Sequence, residues 1–264
     1  MSRAREWWDG KARGLRSLAR IAPNLREPVR FSLRQIARRT GVRGYGLRGA
    51  DVKILVRHST GDVITLEEVL ADGQYEPPPE LAHILDGEPP VVVDLGANIG
   101  LFSAWVLARR PDARIVAFEP DPANADVFEQ WVRANGAEAS CELVRACAAP
   151  QAGELRFVTG EFAASRQADG ASGADVSVLP AVDAFPYMQQ ADFVKIDIEG
   201  GEWALLADPR FAGLRARALV LEYHPHLCPE PDPRACAERL LAGWTLVHRD
   251  FAMPPGHGII WAWR

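Results

Sequence analysis

The sequence predicts an α/β fold: a Rossmann-like, doubly wound, mostly parallel sheet with a C-terminal antiparallel hairpin, plus an N-terminal helical and hairpin extension. Three observations carry this. From residue 91 onward, short apolar runs alternate with helical segments, the pattern of βαβ units whose sheet is covered on both faces. A glycine-rich turn, Asp94-Leu-Gly-Ala-Asn-Ile-Gly100, links the first of those runs to the first helix. The chain then ends on two strand-like runs, Trp244–Val247 and Ile259–Trp263, with no helix between them. That ending calls for an antiparallel edge.

The elements follow in order. Residues 1–40 read as helical, broken near Pro23 and Pro28. The glycine-rich stretch Gly41–Gly49 reads as a loop. Val52–Leu66 reads as a hairpin, with Ile54-Leu55-Val56 leading into Ser59-Thr-Gly-Asp62 and Val63-Ile64 leading out. A short helix starts at Glu67, and two Pro-Pro runs, ending at Pro79 and Pro90, punctuate the approach to the main domain. The extension is placed at residues 1–85 and the main domain at 86–264. In that domain Val91–Val93, Arg114–Phe118, Cys141–Cys147, Phe193–Ile196 and Ala218–Glu222 read as strands. Leu101–Arg110, Asp121–Asn135 and a segment opening at Glu202 read as helices. Glu154–Val158 adds a short strand, Asp175–Pro180 has no clear type, and Gly160–Gly173, rich in Ala, Gly and Ser, reads as a loop.

Composition narrows the function classes. A chain of 264 residues with 48% hydrophobic residues suits one large domain with an appendage, or two small ones. No apolar run reaches membrane-spanning length, so stable membrane insertion is not expected, and the basic N-terminus has no apolar core of a secretory signal. Cys141, Cys147, Cys228 and Cys236 form no C-x-x-C pair, which suggests reduced thiols and a cytoplasmic location. Residues 1–50 hold 13 Lys/Arg against 3 Asp/Glu, while residues 51–264 hold 17 against 32. The basic start, with Trp7, Trp8, Leu15, Leu18 and Ile21 among arginines, suits either an amphipathic surface helix or an arm packed on the acidic body or on a second subunit. Homo-oligomerisation through this region stays open. Aromatic and basic residues do not interleave beyond it, so nucleic acid is not expected as a partner.

The turn Asp94-x-Gly96-x-Asn98-x-Gly100 lies where an open α/β sheet binds its ligands, at the carboxyl ends of its strands. A dinucleotide fingerprint would be G-x-G-x-x-G; here the central glycine is missing and an aspartate precedes the first glycine. That disfavours a nicotinamide-dependent oxidoreductase, the second enzyme reading, and suits a cofactor carrying ammonium, sulfonium or hydroxyl groups, such as S-adenosylmethionine. Glu119, at the end of the second strand, is placed to bind ribose hydroxyls.

"VVVDLGANIGLFS", "AFEPDP", "FVKIDIEGGEWALL" and "LVLEYH" occur in an order that resembles the FkbM family of S-adenosylmethionine-dependent methyltransferases, from about Val91 to Glu222. Gly201 stands where members of that family often carry a larger residue. The resemblance implies that Asp94, Gly96, Asn98 and Gly100 surround the methionine part of the cofactor, that Glu119 takes the ribose, and that Cys147 lies near the adenine. It places Asp197 close to the reacting centre. The implied reaction is methyl transfer to a hydroxyl of a sugar or natural-product small molecule.

Transfer to a neutral hydroxyl requires a proton acceptor. Asp197, His224, Glu222 and Glu199 are the candidates, with Asp197, His224 and Glu222 chosen as catalytic. A divalent metal is a rival use of Asp197, Glu199 and Glu222, but successive residues on an extended backbone alternate direction, so no metal ligand is assigned. Arg57, Tyr75, Trp203 and His226 are candidates to line an acceptor pocket. A non-catalytic, membrane-associated binding module rests only on the basic N-terminus.

Overall fold

A computed structural model of the chain describes residues 14–158, 166–167, 176–249, 251 and 253–264. The extension comprises helices α1 (14–21) and α2 (Pro28–Ile36), strands β1 (Val42–Gly46) and β2 (Lys53–Arg57), and helix α3 (Asp62–Leu70). The main domain continues with β3 (Val91–Leu95), α4 (Leu101–Arg109), β4 (Arg114–Phe118), α5 (Pro122–Asn135) and β5 (Cys141–Val144). Next come β6 (Cys147–Ala149), β7 (Gly153–Val158), β8 (Arg166–Gln167), β9 (Val176–Asp183), α6 (Phe185–Met188) and β10 (Phe193–Ile196). Helix α7 (Glu202–Ala207), β11 (Ala218–Tyr223), α8 (Pro233–Leu240), β12 (Thr245–Arg249) and β13 (Gly258–Trp263) complete the chain.

Seven strands form the main sheet in the order β12-β13-β11-β10-β3-β4-β5. The five from β11 to β5 run parallel, and β13 is antiparallel to both β11 and β12, as the helix-free ending requires. Strand residues alternate between the two faces. Val92, Ile115, Phe193, Val220 and Trp261 join one core with α4 and α5, whereas Val93, Phe118, Val194, Leu221 and Ile260 join the other with α7 and α8. Runs that bury both faces are apolar almost throughout, with Asp94 and Lys195 as charged exceptions, which is why they are legible as strands. Among the described residues no helix is long and apolar enough to cross a membrane.

The extension joins the first of these cores. Ile21, Leu25, Phe31, Tyr45, Ile54, Leu66 and Tyr75 are buried in the same cluster as Trp105, Phe193 and Trp261. Each such side chain contributes roughly 1.5–3 kcal/mol on burial, so the extension is held firmly on one face of the sheet.

Three readings of the sequence are corrected. Strand β2 does not turn at Ser59 into a second strand; it leads into α3, where Val63, Leu66 and Val69 are buried at helical spacing. The partner of β2 is β1, inside the stretch read as a loop, with Val42 opposite Arg57. Glycine serves close approach there, since a Cβ on Gly46 would lie 2.8 Å from the Arg26 side chain. Cys141–Cys147 is not one strand: β5 closes the main sheet, whereas β6 pairs with β9 in a second sheet of order β6-β9-β7-β8. The ambiguous Asp175–Pro180 stretch belongs largely to β9, whose register against β7 runs from Val176 to Ala181. Apart from β8, the loop read at Gly160–Gly173 lies outside the described residues.

From β3 the chain winds outward through β4 and β5, then returns to β10 on the opposite side of β3 and winds outward through β11. The switch point therefore falls between β3 and β10, where an open α/β sheet forms its crevice.

Candidate active site

The turn after β3 alternates its backbone hand. Gly96, Asn98 and Gly100 all have positive φ, at 82°, 51° and 89°. At Gly96 only glycine fits: a Cβ would sit 1.6 Å from the carbonyl oxygen of Asp197, which follows β10. The same close approach lets Asp197 N–H donate to Leu95 O at 3.1 Å and Lys195 Nζ donate to Gly96 O at 2.8 Å. The turn thus seals the switch point and leaves a cleft, open to solvent and lined by Gly96, Asn98, Glu119, Cys147, Asp197 and Glu199 among others.

Glu119 closes one side. Its carboxylate accepts from the backbone N–H of Asn98 at 2.8 Å and of Asp121 at 2.9 Å. Burial nevertheless pushes its pKa up to about 7, because the cost of desolvating the charge exceeds what these two N–H donors and the Asn124 amide, at 3.4 Å, return. Asn98 Oδ1 is buried and accepts no hydrogen bond from the described residues. A buried amide oxygen left so is costly, and this one lies on the cleft wall. Cys147, pushed up to about 12 by burial and by Glu119, stays a thiol and forms part of the wall.

At the other end of the cleft, charges gather on the face that the extension covers. Lys195 and Asp94 are register partners across β10 and β3. Their side chains meet at 3.2 Å, both almost wholly buried, and Lys195 Nζ also lies 3.3 Å from Asp197. Burial opposes the ammonium charge, but Asp197 and Asp94 outweigh it and raise the pKa. His224 is 3% exposed. Its Nδ1 meets Glu202 Oε1 at 3.1 Å, and its Nε2 faces Glu199, Glu222 and Asp197 at 3.5, 3.8 and 3.9 Å. Burial lowers the imidazole pKa, yet the Glu202 hydrogen bond and the charges of Glu199, Glu202 and Asp197 together raise it to about 10. It is an imidazolium at neutral pH.

The extension supplies the roof. Gln74 Nε2 donates to Glu222 Oε2 at 2.8 Å, and Tyr75 Oη donates to Asp197 Oδ2 at 3.4 Å. Glu68 joins the negative field, pushed up to about 7 by burial, Asp197 and its own neighbours Asp72 and Glu67. Burial and Asp197 likewise raise the Glu222 pKa well above the carboxylate range. Five carboxyl groups, Asp94, Asp197, Glu199, Glu202 and Glu222, thus surround two cations, Lys195 and His224, with Glu68 acting on Asp197 from the roof.

Of the residues chosen from the sequence, Gly96, Asn98, Glu119, Cys147 and Asp197 line the cleft. Asp94 and Gly100 stand behind it. Asp94 is fully buried and accepts a hydrogen bond from Ser103 Oγ at 2.8 Å, while a Cβ on Gly100 would meet Phe128 at 2.9 Å. His224 and Glu222 lie behind Asp197 and Glu199. Arg57 is engaged elsewhere: its guanidinium bonds Asp62 at 2.8 and 2.9 Å and Asn124 at 2.6 Å. Trp203 Nε1 donates to the carbonyls of His224 and His226, at 3.1 Å each. Sequence reasoning missed Glu68, Gln74 and the clamp of Glu202 on His224. Only the folded extension brings the first two close, and Glu202 also fits a plain first-turn carboxylate.

Asp197, Glu199 and His224 place one ligand atom each within 4.8 Å of one another. Two carboxylates and an imidazole could gather round a divalent cation, which would compete with the imidazolium proton for Nε2. The alternation that argued against convergence is broken at Glu199, whose φ of 51° lies in the left-handed region.

Comparison with known proteins agrees with this architecture. The model of the Methyltransferase FkbM domain matches residues 94–235, just over half of the chain. Methyltransferase sdnD of Sordaria araneosa is 39% identical over 66 residues, which span 25% of this chain and 26% of that protein. A stretch of 30 residues is 67% identical to the AMB antimetabolite synthetase AmbE of Pseudomonas aeruginosa, 11% of this chain and 1% of that one. The solved structure of Methyltransferase FkbM from Methylobacillus flagellatus KT superposes with a TM-score of 0.50 at 14% identity, over 97% of this chain and 60% of that chain. At that identity the likeness is one of fold. The chain thus spans only part of these relatives, but the domain match runs from Asp94 through the whole cleft: the protein belongs to the FkbM family of methyltransferases.

Proposed function

We propose that the cleft binds S-adenosylmethionine and that the protein methylates a hydroxyl of a sugar or another polyhydroxylated small molecule. The observation that carries this reading is the pairing, in one cleft, of an acceptor without a partner among the described residues, Asn98 Oδ1, with excess negative charge. Asn98 Oδ1 and the Glu119 carboxylate offer acceptors to ribose hydroxyls or an ammonium group, and the carboxylates around Asp197 suit a positively charged ligand. A nicotinamide dinucleotide would instead bring a pyrophosphate to this acidic surface.

S-adenosylmethionine supplies the electrophilic methyl group on a sulfonium. The chain's own residues hold the acceptor and take its proton. Of the proton-acceptor candidates, Asp197 and Glu199 line the cleft, and Asp197, held by Lys195 and Tyr75, is assigned as the general base. Lys195, Tyr75 and His224 surround its carboxylate from three sides and fix its direction, which near-attack placement of an acceptor requires. His224, already protonated, orients and balances carboxylates and does not accept the proton.

The test is calorimetric titration with S-adenosylmethionine, with NADH as control, for the wild type and for Glu119→Ala and Asn98→Ala. Binding of S-adenosylmethionine alone, weakened in both variants, is expected; normal binding by both would refute the site. Mass spectrometry of sugar acceptors should then show the gain of one methyl group, and EDTA reports whether the reaction needs a metal.

A further inference from the structure

Helix α2 turns its apolar residues the wrong way for a buried arm. Phe31 alone points inward, fully buried with ring centroids 5.2 Å from Tyr45 and 5.3 Å from His58. Val29, Leu33 and Ile36 recur at the i, i+4, i+7 spacing of one helix face and are 69%, 62% and 61% exposed. Scattered apolar residues on a surface need no explanation, but a contiguous stripe marks an interaction site.

The stripe is rimmed by charge of one sign. Arg26, Arg30, Arg34, Arg38, Arg39 and Arg43 fall within eighteen residues whose single acid is Glu27. That acid is engaged by the backbone N–H of Gly46 at 2.9 Å. The arginines make mostly carbonyl contacts, such as Arg34 to Thr40 O and Arg43 to Val42 O, which leave their charge unbalanced. Among the described residues the one ion pair in the set is Arg26 with Asp51, at 4.0 Å.

We propose that α2 docks in the plane of an anionic lipid membrane, with Val29, Leu33 and Ile36 in the headgroup boundary and the arginines on lipid phosphates. An aliphatic face flanked by arginines is the composition of interfacial helices, whose binding combines apolar burial with attraction to anionic lipid. The sequence just ahead, outside the described residues, carries Trp7 and Trp8 among Arg3, Arg5, Lys11 and Arg13, residue types favoured at that depth. A second copy fits less well. Two-fold packing of α2 on α2 would set one arginine cluster against another, and the other exposed large apolar residues of the main domain, Val178 and Leu227, stand on separate segments. Nucleic acid would use the arginines and leave the stripe in water.

The experiment is co-sedimentation of the full chain with phosphatidylglycerol-containing and pure phosphatidylcholine vesicles, at low and physiological salt. Salt-sensitive binding to the anionic vesicles is expected. Leu33→Glu should abolish most of it, and Arg30→Gln with Arg39→Gln should weaken it by roughly five-fold per arginine. All variants should keep the wild-type melting temperature and cofactor binding. Three results would overturn the proposal: no binding by the wild type, binding that Leu33→Glu leaves intact, or a dimer in sedimentation velocity that Leu33→Glu dissolves while vesicles stay unbound. Retention on duplex DNA, unchanged in Leu33→Glu and without vesicle binding, would reassign the arginines to nucleic acid.

Discussion

The two ends of the cleft are built in opposite ways. The end at Asn98 and Glu119 is made of residues just past the ends of two neighbouring strands and is shaped by backbone: three positive φ angles, glycines that a Cβ would overfill and N–H donors. The end at Asp197 is made of side chains that reach in from α3, the Gln74-Tyr75 turn, β10, α7 and β11, and is shaped by charge. A backbone-built site tolerates no added atom, whereas a charge-built site tolerates no removed partner. The variants below separate these two sensitivities.

Gly96→Ala should have the largest effect. Its Cβ would overlap a backbone carbonyl that cannot rotate away, so β3 and β10 must separate. A loss of more than about 4 kcal/mol is expected, in the range of exceptional single substitutions, measured as a shift in the urea midpoint. A stable Gly96→Ala protein would mean that the switch point is held by side chains after all. Lys195→Met comes next. It leaves Asp94 buried without its cation, and removing one member of a buried pair costs roughly 3 kcal/mol or more. The double variant Asp94→Asn with Lys195→Met removes both charges and should recover much of that loss. If the double variant is as unstable as the sum of the two single ones, the charges are not coupled and the contrast between the ends fails.

The same contrast explains what the sequence disclosed. The cofactor turn was readable because its constraints are local: glycine at 96 and 100, asparagine at 98 and an acid closing the next strand. The parallel strands were readable because burial on both faces forces a continuous apolar run. Strand β1 was not, since its Gly44 and Gly46 are there to admit Leu55 and Arg26 side chains, a tertiary reason that mimics loop composition. Lys195 looked out of place in a core strand until the register put Asp94 opposite it. Gln74 and Glu222 are 148 residues apart, and no local pattern announces such a meeting.

Glu202→Gln probes the charge-built end more gently. The amide keeps the shape, but its single oxygen can accept from His224 N–H or from Gly200 N–H and not from both, and the charge-assisted bond to the imidazole at 3.1 Å is lost. Such a bond contributes about 2 kcal/mol. We expect methyl transfer to slow by roughly ten-fold or more while affinity for S-adenosylmethionine stays unchanged, which calorimetry beside a turnover assay resolves. Equal losses in both would show that His224 supports the whole cleft and not the reacting end alone.

The smallest effect expected is a pH dependence at the other end. The buried Glu119 carboxyl titrates near 7 in the unliganded protein, above its ordinary value. The native state therefore holds more protons than the unfolded chain between those values, and Glu119 makes the free protein less stable as pH rises through that window. Ribose hydroxyls donating to the carboxylate favour its ionised form, so binding should release a proton and tighten as pH rises. If the bound pKa returns to the ordinary carboxylate range, affinity should increase about ten-fold between about pH 6 and pH 8. Glu119→Gln cannot ionise, and any titration of the ligand itself is common to both proteins. The difference between the two pH profiles is thus the contribution of Glu119 alone, and parallel profiles would mean that this carboxylate does not contact the ligand.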